Sequence, residues 1–316
     1  MENNEQQNYA ISKPLLVLNV IFVISILLMI FIIYTSSKKP GESARSTEKI
    51  AAPTPFEKVA LDAKAAYVFD VSGNKVLFQK NQFAQLPLAS VTKLMMALVA
   101  TDLLPKNSRL TIKKEFLEGE GDTGLLPGES WKLGDLIDFS LVVSSNDGAR
   151  SIASVVGAFD LKSQDYTLGR KDFVEKMNLK AQDLGLKQTY YINESGLDEG
   201  LSSGGYGSAI DTAKLMQFIL INRPDILEAT KYQVLNISSL NKTHSAKNTN
   251  IDINTVPGLI ASKTGYTDVA GGNLVVAFDS SIGKPIIVVV LGSTEKGRFF
   301  DVSNLVRASI NYITNN

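Results

Sequence analysis

The chain has 316 residues, 44% of them hydrophobic, and its 32 Lys and Arg residues balance its 32 Asp and Glu residues. This composition is that of a globular protein, and the neutral charge gives no sign of a nucleic-acid binder. The sequence has no cysteine, which excludes disulfides, thiol catalysis and thiolate metal sites, and its single histidine excludes a histidine-rich zinc site. That residue, His244, lies in the polar stretch 241–248, which we predict to be a solvated loop.

The N-terminal region is predicted to anchor the chain in a membrane. Residues 15–34 form an uncharged apolar run, LLVLNVIFVISILLMIFIIY, long enough to cross about 30 Å of hydrocarbon. No small-residue cleavage site follows, so we expect an uncleaved transmembrane helix at 14–35. A short tail at 1–13 precedes it, and a linker rich in Lys, Ser, Thr and Pro at 36–57 follows. Positive charges are more frequent after the run than before it, which by itself favours a cytoplasmic location for the following domain.

Residues 58–316 are predicted to form one domain with strands at both ends and helices in the middle. Two strand-like runs, 65–70 and 75–79, flank a Ser-Gly-Asn turn and predict a β-hairpin. Helical patterns then occupy 90–103, 134–144, 147–157, 171–184 and 210–221. Further strands are predicted at 258–263, 272–279 and 285–291, followed by an amphipathic helix at 297–314. Because the strands come from distant segments, we expect one sheet in an α+β layout.

A candidate nucleophile and base lie at the start of the first helical pattern. In Ser90-Val91-Thr92-Lys93 a hydroxyl and an amine are three residues apart, so on a helix they lie on one face. Lysine can take the proton of a serine when burial and neighbouring positive charge lower its pKa. Six other Ser and Lys pairs share this spacing, but Ser90 precedes a strongly apolar helical run, 94–100. The alternative interpretation is a helix-capping serine followed by a surface lysine.

Two further motifs carry polar groups at the boundaries of predicted elements. Ser144-Ser145-Asn146 falls between two helical patterns, where a hydroxyl could relay a proton and an amide could hold a substrate carbonyl. Lys263-Thr264-Gly265 ends a strand-like segment, where a cation and a hydroxyl can bind a carboxylate and glycine lets substrate approach. Taken singly, the first is compatible with a capping turn and the second with a plain strand end.

The three motifs in this order, S-x-x-K, S-x-N and K-T-G, resemble those of the penicillin-recognising serine enzymes. The segments 126–129, 143–148, 193–198, 208–213 and 262–271 are similar to the D-alanyl-D-alanine carboxypeptidases among the low-molecular-mass penicillin-binding proteins. This resemblance extends from near residue 60 to the C-terminus. It implies a β-lactamase/DD-peptidase-like fold, in which helices flank an antiparallel sheet and form a mostly helical subdomain. Residues 58–316 would then be the catalytic domain.

The resemblance also implies a role for each matching residue. Ser90 would be the acylated nucleophile, Lys93 the proton acceptor and Ser144 the hydroxyl of the proton relay. The substrate-binding residues would be Asn146, Lys263, Thr264, Gly265 and Tyr266. Lys263 and Thr264 would bind the terminal carboxylate, and the backbone N–H groups of Ser90 and Tyr266 would form the oxyanion hole.

The implied substrate is the D-Ala-D-Ala end of peptidoglycan stem peptides, with β-lactams as covalent inhibitors and no metal or organic cofactor. Because cell-wall peptide lies outside the cytoplasmic membrane, the resemblance implies an extracytoplasmic catalytic domain held by the N-terminal helix. The chain ends soon after its last predicted helix, so no further C-terminal domain or C-terminal anchor is expected. Glu194 is a departure, because proline is usual at this position in the family.

Five other functions remain compatible with the sequence to different degrees. A β-lactamase would share the motifs but commonly needs a deacylating glutamate, which no segment clearly supplies. A transpeptidase or endopeptidase would differ only in the molecule that accepts or carries the acyl group. A membrane-bound β-lactam sensor would need a coupling region, and the tail at 1–13 is short for one. A catalytically inactive wall-binding domain is disfavoured because Ser90, Lys93, Ser144 and Lys263 are all present.

Overall fold

The computed structural model describes residues 22, 24–31, 55–117, 121 and 123–315. Residues 22 and 24–31 are helical, whereas the rest of the predicted span at 14–35 and residues 36–54 of the predicted linker lie outside the described residues. In the described part of the chain, no helix combines the length and the apolar character needed to cross a membrane. The chain divides into two compact units, Met1–Ala52 and Pro53–Asn316, and the elements below belong to the second.

The strands and helices of this unit are numbered in chain order. The strands are β1 Ala65–Asp70, β2 Lys75–Lys80, β3 Leu86–Pro87, β4 Arg109–Thr111, β5 Ser130–Lys132, β6 Tyr190–Tyr191, β7 Gly205–Gly207, β8 Val234–Ser238, β9 Thr243–Lys247, β10 Leu259–Thr267, β11 Gly271–Asp279 and β12 Pro285–Ser293. The helices are α1 Lys93–Leu103, α2 Leu133–Val142, α3 Asn146–Asp160, α4 Tyr166–Asp183, α5 Ala209–Asn222 and α6 Gly297–Thr314.

The core of the fold is a five-stranded antiparallel sheet with the strand order β10-β11-β12-β1-β2. Along β11 and β12 successive side chains are buried on both faces, as expected for Val- and Ile-rich strands covered on both sides. Side chains of one face pack against α6, and those of the other face pack against the helical part of the domain. The predicted α+β layout and the predicted hairpin of β1 and β2 are therefore confirmed.

Helix α1 is the central helix of the helical part. Its residues 93–101 are all buried, including Lys93, so it is covered all round rather than on one stripe. A 3-10 turn at Ala89–Thr92 precedes it. The helix predicted at 90–103 is thus confirmed, but its α-helical part begins at Lys93, and Ser90 lies in the preceding turn.

Helix α4 begins five residues before its predicted start at 171. Asp165 caps this helix, since its Oδ1 accepts hydrogen bonds from the N–H groups of Thr167 and Leu168 at 2.9 and 3.0 Å. An acidic residue at this position also interacts favourably with the helix dipole. Apolar periodicity could not locate the start, because the first turn of α4 is mostly exposed.

The prediction that His244 lies in a solvated loop is wrong. His244 belongs to β9, which pairs with β8 in a hairpin, and it is buried. Its Nε2 lies 2.9 Å from Oε2 of Glu129, which also accepts a hydrogen bond of 2.9 Å from Trp131 Nε1. The rings of Trp131 and Phe139 pack against the imidazole. The stretch is polar because every second residue of β9 faces solvent. The histidine is nevertheless buried, because Glu129 provides a polar partner inside the protein.

We expect Glu129→Ala to destabilise the domain, because it leaves the buried Trp131 and His244 without their shared acceptor. The expected loss is about 2–4 kcal/mol in the free energy of unfolding. Trp131 is the single tryptophan of the chain, so its fluorescence during urea unfolding measures the effect. Lys242→Ala in the exposed hairpin turn is the control, with an expected change below about 0.5 kcal/mol. Equal stability of the two variants would contradict the structural role of this cluster.

Candidate active site

Ser90 lies in the turn between β3 and α1. The preceding residue, Ala89, has φ 47°, which is unusual for a residue with a side chain. Such a conformation costs about 1–3 kcal/mol and persists only where the surroundings enforce it. Leu88 N donates to Gly205 O at 2.9 Å and fixes the approach to the turn. The backbone before Ser90 is therefore held in a defined geometry.

Lys93 is fully buried and contacts three oxygen atoms from three segments. Its Nζ lies 2.8 Å from Ser90 Oγ, 2.8 Å from Asn146 Oδ1 and 2.8 Å from the carbonyl oxygen of Ser195. The amide and carbonyl oxygens can only accept hydrogen bonds. A neutral amine would give its two hydrogens to these acceptors, which leaves its lone pair for the hydroxyl of Ser90.

Burial favours the neutral form of this amine. Desolvation lowers the pKa of Lys93 to about 7, although the charge of Glu194 opposes the shift. A base with a pKa near neutral is partly free of its proton at physiological pH and can still accept one. The pair formed by Ser90 and Lys93 thus has both the distance and the proton affinity expected of an activated nucleophile.

The second motif contributes Ser144 and Asn146 from the turn between α2 and α3. Ser144 has φ 60°, and its Oγ accepts a hydrogen bond of 2.9 Å from Lys263 Nζ. Ser145 caps α3 by accepting from Gly148 N at 2.9 Å. The capping turn considered from the sequence is therefore present at Ser145, while its two neighbours project toward the lysines.

The third motif lies within β10 and not at its end. Lys263 Nζ donates to Thr264 O at 2.8 Å in addition to Ser144. Desolvation lowers the pKa of Lys263 well below its usual value, and the charges of Lys93 and Arg298 lower it further. Arg298, from the first turn of α6, donates to Gly265 O at 2.8 Å. The motif therefore brings two further buried basic side chains, Lys263 and Arg298, to the strand that passes close to Ser90.

Gly265 allows β10 to pass close to the nucleophile. Strand β10 is an edge of the central sheet, and a Cβ atom at Gly265 would lie 2.7 Å from Leu88 O and 3.2 Å from Ser90 N. A side chain would therefore push this edge away from the turn that carries Ser90. On the same strand, Thr264 Oγ1 lies 2.6 Å from Thr249 Oγ1, and Tyr266 is exposed.

The loop 193–198 supplies the carbonyl acceptor for Lys93. Asn193 Oδ1 accepts from Gly196 N at 2.8 Å, and its Nδ2 donates to Leu197 O at 2.9 Å. Gly196 has φ 78°, and a Cβ atom there would lie 1.9 Å from Ala89 O. This segment contributed to the family resemblance, but no role was predicted for it. Asn193, Ser195 and Gly196 are residue types typical of such a turn, but they give no signal for its contact with Lys93.

The site thus brings together every residue named from the three motifs. Two groups were missed: the Ser195 carbonyl and the Arg298 guanidinium. The arrangement joins a nucleophile and base to a cationic strand edge. It can therefore attack a carbonyl whose neighbouring group carries a negative charge.

Comparison with known proteins relates this arrangement to a family. The sequence model of the D-alanyl-D-alanine carboxypeptidase family matches residues 49–295. The D-alanyl-D-alanine carboxypeptidase DacF of Bacillus subtilis is 30% identical over 81% of this chain, which spans 66% of that relative's length. The D-alanyl-D-alanine endopeptidase of Pseudomonas aeruginosa is 31% identical over 83% of each protein.

The fold has a similar counterpart among solved structures. Penicillin-binding protein D2 of Listeria monocytogenes, in its ampicillin-bound form, has 26% sequence identity and a TM-score of 0.67. The similarity covers 78% of this chain and 97% of that one.

The ammonium of Lys93 should lose its proton with an apparent pKa of about 7. Titration of 15N-labelled lysine side chains by NMR measures this, with Lys93→Met identifying the resonance. Exposed lysines should titrate near their usual value of about 10.4. A Lys93 resonance that titrates with the exposed lysines would contradict its assignment as a neutral base.

Proposed function

This chain belongs to the D-alanyl-D-alanine carboxypeptidase family, and from that premise we propose that it removes the terminal D-alanine of peptidoglycan stem peptides through an acyl-enzyme on Ser90. It is a serine-type peptidase of the penicillin-binding class. The observation that carries the proposal is the contact of Ser90 Oγ with the buried Lys93 Nζ, 2.8 Å apart.

Acylation begins with attack of Ser90 Oγ on the carbonyl carbon of the last peptide bond. Lys93 takes the hydroxyl proton, because its lone pair faces Ser90 while Asn146 and Ser195 accept its hydrogens. The backbone N–H groups of Ser90 and Tyr266 are proposed to stabilise the negative charge that develops on the carbonyl oxygen. The close approach that Gly265 permits supports this assignment.

The C–N bond then breaks, and the leaving nitrogen needs a proton. Ser144 is proposed to relay to it the proton that Lys93 took from Ser90, since Ser144 Oγ is hydrogen-bonded to Lys263 in the same site. The carboxylate of the terminal D-alanine would bind Lys263 and Thr264, supported by the buried positive charge of Arg298. The Asn146 amide is proposed to hold the substrate backbone. Water next attacks the ester, which frees Ser90 and the shortened peptide.

The alternatives of the same fold differ in the fate of the acyl-enzyme. An endopeptidase would cleave a bond between two stem peptides, a transpeptidase would transfer the acyl group to an amine, and a β-lactamase would hydrolyse the penicillin adduct rapidly. A sensor would keep the adduct as a signal. The cationic strand edge at Lys263 favours a substrate that ends in a free carboxylate, and so favours the carboxypeptidase reaction.

We further propose that residues 14–35 anchor the enzyme in the cytoplasmic membrane, with the catalytic domain on the extracytoplasmic side. The uncharged apolar run at 15–34 and the location of peptidoglycan support this topology.

The acyl-enzyme can be observed directly by intact-protein mass spectrometry after brief exposure to penicillin. The wild-type protein should gain the mass of one penicillin, and Ser90→Ala should gain none. Thr92→Ala, a buried hydroxyl close to Ser90 in sequence, is the matched control and should still be acylated. An adduct on Ser90→Ala would show that another residue is the nucleophile.

The lifetime of the adduct separates the carboxypeptidase from a β-lactamase and from a sensor. Slow loss together with release of D-alanine from a stem-peptide analogue would support the carboxypeptidase. Rapid loss would support a β-lactamase, and a stable adduct without turnover of any peptide would support a sensor. Absence of any adduct on the wild-type protein would contradict the proposed function.

The topology can be tested because the chain has no cysteine of its own. A cysteine introduced by Lys242→Cys, at an exposed hairpin turn, should react with a membrane-impermeant maleimide on intact cells with a permeable outer layer. The wild-type chain is the control for background labelling. Labelling only after the cytoplasmic membrane is disrupted would place the domain in the cytoplasm and contradict the proposal.

A further inference from the structure

Glu194 is a buried carboxylate at the position where the family usually has proline. Its side chain is 1% exposed, and its Oε2 lies 2.8 Å from Nε of Arg170 on α4. The side chain of Arg170 is 34% exposed and lines an open cleft of about 430 Å³ on the outer side of α4. The ion pair therefore joins a buried carboxylate, Glu194, to a guanidinium, Arg170, that is partly exposed to solvent.

This pair lies next to the base of the active site. Glu194 directly precedes Ser195, whose carbonyl oxygen accepts the 2.8 Å hydrogen bond from Lys93. The negative charge of Glu194 favours the protonated form of Lys93. A substitution at this position can therefore act on the base through the backbone, through charge, or through both.

Two other basic side chains belong to the same buried cluster. Lys263 lies on β10, and Arg298 from α6 donates to Gly265 O of that strand. Both are largely buried, and the charges of Lys93 and Arg298 lower the pKa of Lys263. Glu194 thus supplies a negative charge to a site in which three basic side chains are crowded together, and Arg170 partly neutralises that charge from outside.

We propose that Glu194 is a positioning residue for acylation: it is held by Arg170 in a buried ion pair directly before Ser195, whose carbonyl oxygen binds Lys93 Nζ, and the charges of the pair act on that amine in opposite directions. The inference rests on the proposed function, because the protonation of Lys93 controls a rate only if Lys93 is the base. It concerns residues of this chain that lie outside the three motifs.

The charge of the pair predicts opposite effects for its two members. Glu194→Gln removes the negative charge and leaves Arg170 in place, so Lys93 should lose its proton at lower pH. Arg170→Met removes the neutralising cation, so Lys93 should hold its proton to higher pH. A purely structural role would give both variants the same direction of change, because each breaks the same ion pair.

The experiment measures the second-order rate constant of acylation by a fluorescent penicillin across neutral pH, with the full chain. For wild type the rate should rise with pH through a midpoint near 7. Glu194→Gln should shift the midpoint down by about half to one pH unit, which below the midpoint means roughly three- to tenfold faster acylation. Arg170→Met should slow acylation there by a similar factor.

Three controls make the result specific. Lys171→Met removes a neighbouring exposed cation of the same cleft, and Arg170→Lys keeps the charge; both should retain the wild-type midpoint. In the double variant Glu194→Gln/Arg170→Met the midpoint should fall between those of the single variants. Arg170→Met provides the test if Glu194→Gln does not fold.

An unchanged midpoint in Glu194→Gln, or shifts of both single variants in the same direction, would overturn the inference while the penicillin adduct still supports the proposed function. Absence of an adduct in wild type would instead contradict the proposed function itself.

Discussion

The site depends on the burial of one amine. Lys93 is taken out of water completely, at a cost that only hydrogen bonds can offset. The required acceptors come from distant parts of the chain: Asn146 begins α3, and Ser195 lies in the loop after β6. The packing of α1, α3 and this loop is therefore a condition for the proposed chemistry. The same packing lowers the pKa of the amine to about 7.

Much of this arrangement could be predicted from the sequence. Strands with continuous Val and Ile, such as β12, and the amphipathic pattern of α6 locate the sheet and its cover. The spacing of Ser90 and Lys93 already placed them on one face of a helix, but Lys263 could be joined to them only through the family resemblance, because it lies far away along the chain. In the structure Ser90 and Lys93 are hydrogen-bonded to each other, and Lys263 is hydrogen-bonded to Ser144, two residues before the Asn146 that binds Lys93.

Other features could not be predicted, for physical reasons. The carbonyl of Ser195 is a backbone group, and any residue type supplies one, so the sequence carries no signal for its role. Arg298 reaches the site from the far end of the chain through a contact with Gly265 O. The burial of His244 could not be predicted, because it depends on Glu129, a polar partner more than a hundred residues away in the sequence. In each case the missing information is a long-range contact.

An amine that acts as a general base must be neutral before the reaction and charged after it, and the surroundings of Lys93 suit both states. Before proton transfer two hydrogens bind Asn146 and Ser195, and the lone pair faces Ser90; afterwards the third hydrogen points to the Ser90 oxygen. Desolvation favours the first state, whereas a bound substrate carboxylate would favour the second. Because this carboxylate would sit at Lys263, substrate binding itself would prepare the site to hold the transferred proton. Under the proposed function, burial thus keeps Lys93 neutral before the substrate binds, and the negative charge of the substrate then stabilises the ammonium that forms.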